Sequence, residues 1–274
     1  MTDAGPPPPS RNVSGLLRRL RDREFTGAVV VSGAPGGTIH LRAGRVTAID
    51  TPGSPPVESL LLKSGRIDEE AWSAARATAG PSDPVGVTLV EHGLVGAVEL
   101  EVVCAAAVHD AAFALALTAP GGWDVAESAL PPQVTAGPGV EPQALSQETG
   151  RRLTLLPRLW GSATELVRGR VHAPALASDP LPPRYREILR FVNGRRTVRD
   201  LAFALGRGVF PVLLDLSRMR ARHLVTVELP TSTSPLGDGL GPRTDVGGAP
   251  PPPLPLGFPL PRRTPGGHLP DRGR

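Results

Sequence analysis

Six histidines, one cysteine and 29 arginines are the side chains of this 274-residue chain with the most obvious capacity for chemistry. Two metal ligands on one helix face need a spacing of about four residues. His40, His92, His109, His172, His223 and His268 contain no such pair. Cys104 and His109 are five apart, which turns them to different helix faces. A lone cysteine among alanines packs as a small apolar residue, and it excludes both an intramolecular disulfide and a cysteine-based zinc centre. No Gly-x-Ser-x-Gly occurs, and the acidic residues gather at helix starts rather than in facing pairs. "GAPGG" (33–37) lacks the Gly-Lys-Ser/Thr ending of a phosphate loop and leads into a strand, so it reads as a hairpin turn. A protein without catalytic residues, cofactor or metal is expected.

The arginines are unevenly placed. Residues 181–229 hold ten against Glu187, Asp200, Asp215 and Glu228, a balance of +6. Residues 13–128 hold nine basic and fourteen acidic side chains, a balance of −5. A basic part joined to an acidic one fits a nucleic-acid-binding module beside a protein-facing module. Lys63 is the sole lysine, a bias that a GC-rich genome also produces.

The elements that would position those arginines are short helices. "PPRYREILRFVN" (182–193) buries Tyr185, Ile188, Leu189 and Val192 at helical spacing. Thr197 and Asp200 form a capping-box pattern for a second helix, Gly206-Arg207-Gly208 turns the chain, and a third helix runs over 209–222 before the strand "HLVTVEL". Over 182–229 this pattern resembles the winged helix-turn-helix of bacterial transcription regulators, MarR-like proteins among them. The resemblance implies DNA as partner, with Arg195, Arg196, Arg199 and Arg207 on phosphates and Arg218 and Arg222 at the groove or flanking backbone. Two features depart from it. The leading half of the third helix offers Phe210, Pro211, Leu214 and Asp215, poor chemistry for base edges. After residue 229 the chain enters "PTSTSPLGDG", so the second strand of a wing hairpin is missing or very short. On the third helix Arg207, Pro211, Leu214, Asp215, Arg218 and Arg222 are expected to face outward.

In the first part, Val13, Leu16, Leu17 and Leu20 make an amphipathic helix, followed by strands at 25–32, 38–42 and 45–50 with a tight turn at Ala43-Gly44. "SLLLKSGRIDEEAW" (59–72) and "VTLVEHGLVGAVEL" (87–100) align at an offset of 28, with Gly65 and Gly93 where a helix needs a left-handed residue past its end. Helix 97–117 and strand 122–127 complete the module. The opening helix, the "FTGAVVVSG…GGTIHLRAGRVTAID" meander, the "LLLKSGRI…LVEHGLV" pair and the Gly-Gly-Trp end resemble the PATAN domain, a bacterial signalling module. That resemblance covers 13–128 and implies a protein-contact or sensory role with no catalytic residues. "VGVTLVEHGLVGAVEL" also looks like the helix-Gly-helix repeat of a cyclic-di-GMP-binding domain of secretion ATPases. Val85 stands where that motif needs arginine, which removes the main phosphate partner.

The expected organisation is α+β: a disordered 1–12, the PATAN-like module at 13–128, a linker with an amphipathic helix at 129–180, the winged-helix-like domain at 181–229, and a disordered Pro/Gly-rich tail at 230–274. The run "VELEVVCAAAVHDAAFALALT" carries Glu99, Glu101, His109 and Asp110, too many polar groups for a membrane span. No signal-peptide pattern opens the chain, so a cytoplasmic protein is expected. The functional expectation is a DNA-associated regulator whose N-terminal module contacts protein, with homodimerisation through 97–117 or 145–170. The alternative is a signalling adaptor whose winged helix binds a protein partner.

Overall fold

The computed structural model describes residues 12–79, 84–127, 130–174 and 181–229. The expectations for residues 1–11 and for the tail 230–274 fall outside them. The fold is α+β. Helix α1 (Val13–Asp22) precedes a meander of β1 (Gly27–Ser32), β2 (Gly37–Arg42) and β3 (Arg45–Asp50). Helices α2 (Val57–Lys63), α3 (Glu69–Thr78), α4 (Val85–Glu91) and α5 (Ala97–Ala116) follow, then β4 (Gly122–Ala126). The four strands form one antiparallel sheet in the order β3-β2-β1-β4. At the β2–β3 turn Ala43 (φ 48°) and Gly44 (φ 74°) both take the left-handed conformation that a tight two-residue hairpin requires.

The 28-residue repeat is a structural one. Each copy is a seven-residue helix, a left-handed glycine and a second helix: α2, Gly65 (φ 71°) and α3, then α4, Gly93 (φ 67°) and α5. Asp68 caps α3 by accepting from the Ala71 amide at 2.7 Å. Its carboxylate satisfies a donor that the helix itself cannot.

Helix α5 is buried over most of the stretch from Val103 to Ala114, while Val98 and Val102 near its start are 76% and 63% exposed. Leu100, Val103 and Cys104 pack with the α2–α4 helices. Val108 joins the core under the sheet with Leu17, Val29, Ile39 and Val46. Phe113 enters a third core with the C-terminal helices. No helix among the described residues is long and apolar enough to cross a membrane.

After β4 come α6 (Pro142–Leu159), α7 (Ala163–Arg168), β5 (Arg170–His172), α8 (Pro183–Phe191), α9 (Val198–Leu205), α10 (Val209–Ala221) and β6 (Thr226–Glu228). The helix expected from 145 onward ends at Trp160, and Gly161 (φ 131°) turns the chain into α7. Thr197 and Asp200 make the anticipated capping box on α9, and Gly206 (φ 61°) closes that helix. The terminal strand is shorter than the seven residues read from the sequence. Its partner is β5, which precedes α8: Arg170 pairs with Glu228 and His172 with Thr226. The C-terminal core accordingly draws on Leu156, Trp160, Leu166 and Val171 as well as on the three helices.

Candidate functional site: an arginine cluster beside a docked helix

Helix α10 decides what the basic module can do. Its N-cap is Gly208, which has no side chain to accept from the first-turn amides. A carboxylate from α5 takes that role. Asp110, 3% exposed, accepts from the Val209 amide at 2.6 Å and the Phe210 amide at 2.8 Å. The Ser54 hydroxyl donates to the same carboxylate at 2.7 Å, and an Arg152 nitrogen stands 3.9 Å away. A negative charge at a helix start is favoured by the helix dipole and by the unpaired amides there. The approach is close enough that a Cβ on residue 208 would sit 2.9 Å from Asp110. Phe210 meets Phe113 edge to face, with centroids 5.2 Å apart, and the Arg152 guanidinium lies 4.8 Å over its ring.

A second contact lies at the end of α9. The Lys63 ammonium donates to the Phe203 carbonyl, and at Gly206 a Cβ would lie 2.6 Å from the Ser59 carbonyl oxygen. Only glycine combines that closeness with a left-handed φ.

The six predicted arginines divide into two groups. Arg207, Arg218 and Arg222 are brought together at α10. Asp215 is expected outward but is 4% exposed, because the start of α10 packs against α5 and the α8 side chains cover the next turn. Its carboxylate pairs with Arg207 at 2.6 Å, Arg218 at 3.6 Å and Arg184 at 3.8 Å. Arg184 and Arg222 both lie over the Tyr185 ring, at 5.0 and 5.8 Å. Three guanidiniums thus surround one carboxylate and Arg222 joins them across the Tyr185 ring, leaving about three positive charges and most of their N–H donors directed elsewhere. Arg184 was not singled out by sequence; its place beside the buried Tyr185 was the available signal.

Arg195, Arg196 and Arg199 lie apart from that cluster, around the start of α9. Asn193 accepts from the backbone amides of Arg195 and Arg196, at 3.0 and 3.2 Å. The Arg196 guanidinium donates to the Phe191 carbonyl at 2.9 Å, and Arg199 lies over Phe203 at 5.6 Å. Arg195 and Arg199 are exposed; Arg196 is half-buried.

The remaining reactive groups are placed as packing residues. Burial pushes the Cys104 thiol up to about 11. The thiolate is the nucleophile, so Cys104 should remain unlabelled by a thiol reagent at pH 8 and react once the chain is unfolded; rapid native labelling would contradict its burial. Desolvation, reinforced by the charge of Arg152, lowers the His109 pKa. Among the described residues no group of three or more His, Cys, Asp or Glu is placed to hold a metal ion.

Helix α6 carries one clear electrostatic contributor to stability. Glu148 bonds Arg151 and Arg152, each at 2.7 Å, and its carboxyl is held down at about 2, by the Arg151 hydrogen bond first. A depressed carboxyl pKa stabilises the folded state above the ordinary carboxylate range and loses that contribution as pH falls towards 2. Acid denaturation of Glu148→Gln and of the parent should therefore converge only below about pH 2. Near pH 7 the parent should be only slightly the more stable, because water screens the pair.

No family model, curated protein or solved structure matches this chain. Its own geometry carries the functional reading.

Proposed function

We propose that this chain is a non-enzymatic signalling adaptor. In this reading residues 13–128 form a PATAN-like regulatory module, and the winged-helix-like module at 181–229 presents its arginine cluster to a protein partner. The observation that carries it is the burial of the start of α10. Base reading by a helix-turn-helix uses the leading residues of its third helix. Here the amides of Val209 and Phe210 are bonded to Asp110 and the Phe210 ring is packed on Phe113. A helix held in that way has no free leading turn to enter a major groove.

A second reading, regulation in association with DNA, is favoured by the charge of +6 on residues 181–229, by Arg184, Arg207 and Arg218 around Asp215, and by Arg222 over the neighbouring Tyr185. Such a surface attracts phosphates whatever the sequence.

Fluorescence anisotropy of the full chain separates the two. The titration uses random duplex and the protein's own upstream DNA at low and physiological salt. The adaptor reading expects equal affinity for both duplexes and loss of binding as salt rises. A preference for the upstream duplex that persists at physiological salt would overturn it and make the protein a transcription regulator.

A further inference from the structure

A cleft of about 560 Å³ lies between the sheet, α5 and the chain at 130–134, on the side of the first module that the reading above leaves without a task. We propose that it binds a small ligand with an apolar body and a protonated amine, giving the first module a chemical input.

Its walls are largely apolar, with Val30, Ile49, Val108 and Val134 among them. One histidine and two carboxylate side chains line it: His40, Asp50 and Glu58. No arginine or lysine lines it among the described residues, so an anionic ligand such as a nucleotide would meet two carboxylates there. His40 stands opposite Ala48 across the β2–β3 pair, and its side chain is 10% exposed. Its Nε2 lies 2.9 Å from one Asp50 oxygen, which fixes that carboxylate at the mouth of the cleft. The second oxygen remains an open acceptor. Glu58, in the first turn of α2, has no hydrogen bond or ion pair among the described residues. The helix start moderates its charge but uses up neither oxygen.

Two acceptors at the rim of an apolar cleft match an ammonium group attached to a hydrocarbon. The hydrocarbon displaces water from the walls. The ammonium then meets the half-buried Glu58 carboxylate and the more exposed Asp50 carboxylate. A divalent metal ion fits poorly because no group of three or more His, Cys, Asp or Glu among the described residues is placed to hold one. The volume is that of an ordinary small-molecule site.

The test uses full-length ¹⁵N-labelled protein and three probes of one shape: 2-phenylethylamine, 2-phenylethanol and 3-phenylpropionate. The amine should give saturable amide shifts at Val30, His40, Ala48 and Val134. The alcohol should bind about tenfold more weakly, and the acid should give no shifts there. Asp50→Asn and Glu58→Gln should each bring the amine close to the alcohol. Asp50 is 62% exposed and Glu58 is half-buried, so both variants should keep the parent melting temperature. Val30 is 44% exposed, and Val30→Trp should fill the cleft and abolish the amine shifts without unfolding the strand. Equal binding of all three probes, absence of saturable shifts, or amine binding unaffected by the three variants would each overturn the proposal.

Discussion

Asp110→Ala is expected to remove about 3–5 kcal/mol of stability, the usual result of leaving the partners of a buried charge uncompensated. The variant strands three groups at once, the Val209 and Phe210 amides and the Ser54 hydroxyl, while Arg152 keeps its bond to Glu148. None is well placed to recover water, because the leading turn of α10 is buried. Against a typical total of about 5–15 kcal/mol, that loss is a large share. Urea denaturation should show a lower midpoint with an unchanged slope. Asp110→Asn keeps an oxygen acceptor and gives up the charge, so its loss should be about 1–3 kcal/mol. A loss below about 1 kcal/mol for the alanine variant would mean that the helix start is solvated in solution and the dock is loose.

The second large effect belongs to Phe113→Ala, expected to cost about 3–5 kcal/mol through lost burial and the cavity left behind. Phe113 is fully buried, and it is the α5 residue that reaches the C-terminal core. Its partner Phe210 follows immediately on the amide pair that Asp110 holds. The two changes should therefore not add: in the double variant the combined loss should fall short of the sum by about 0.5–3 kcal/mol. Strict additivity would mean that the hydrogen-bonded and aromatic parts of the dock act independently.

Much of the local structure was legible because its causes are local. Ala43-Gly44 between two β-branched runs specifies a hairpin, and Gly65 and Gly93 at matching positions specify two helix pairs. Thr197 and Asp200 specify a helix start by side-chain chemistry three residues apart. The dock was not legible, although a sign of it was present. Asp110 is the lone acidic residue in the stretch "CAAAVHDAAFALAL", and a charge in such a run has to find a partner. That partner lies 99 residues further on, and nothing near either position names the other. The same limit hid β5, whose three residues become a strand only by pairing with β6. It also turned Asp215 inward, because helical periodicity assigns faces without knowing which of them another element will cover. The cleft was missed for a related reason. His40, Asp50 and Glu58 belong to two strands and a helix, and their spacing along the chain carries no chemical pattern.

The position of α5 bears on how this protein comes apart. One twenty-residue helix contributes side chains to all three apolar cores, so the amides of its buried stretch from Val103 to Ala114 have no route to solvent that spares them. In hydrogen exchange, a segment of that kind opens with the whole molecule rather than by local fraying. The acidic and basic parts differ in charge and fold pattern, yet α5 gives them a shared unfolding event. A ligand that stabilises either part would then slow exchange along that buried stretch of α5, and a stabilising signal in one part would be felt in the other as a change in population.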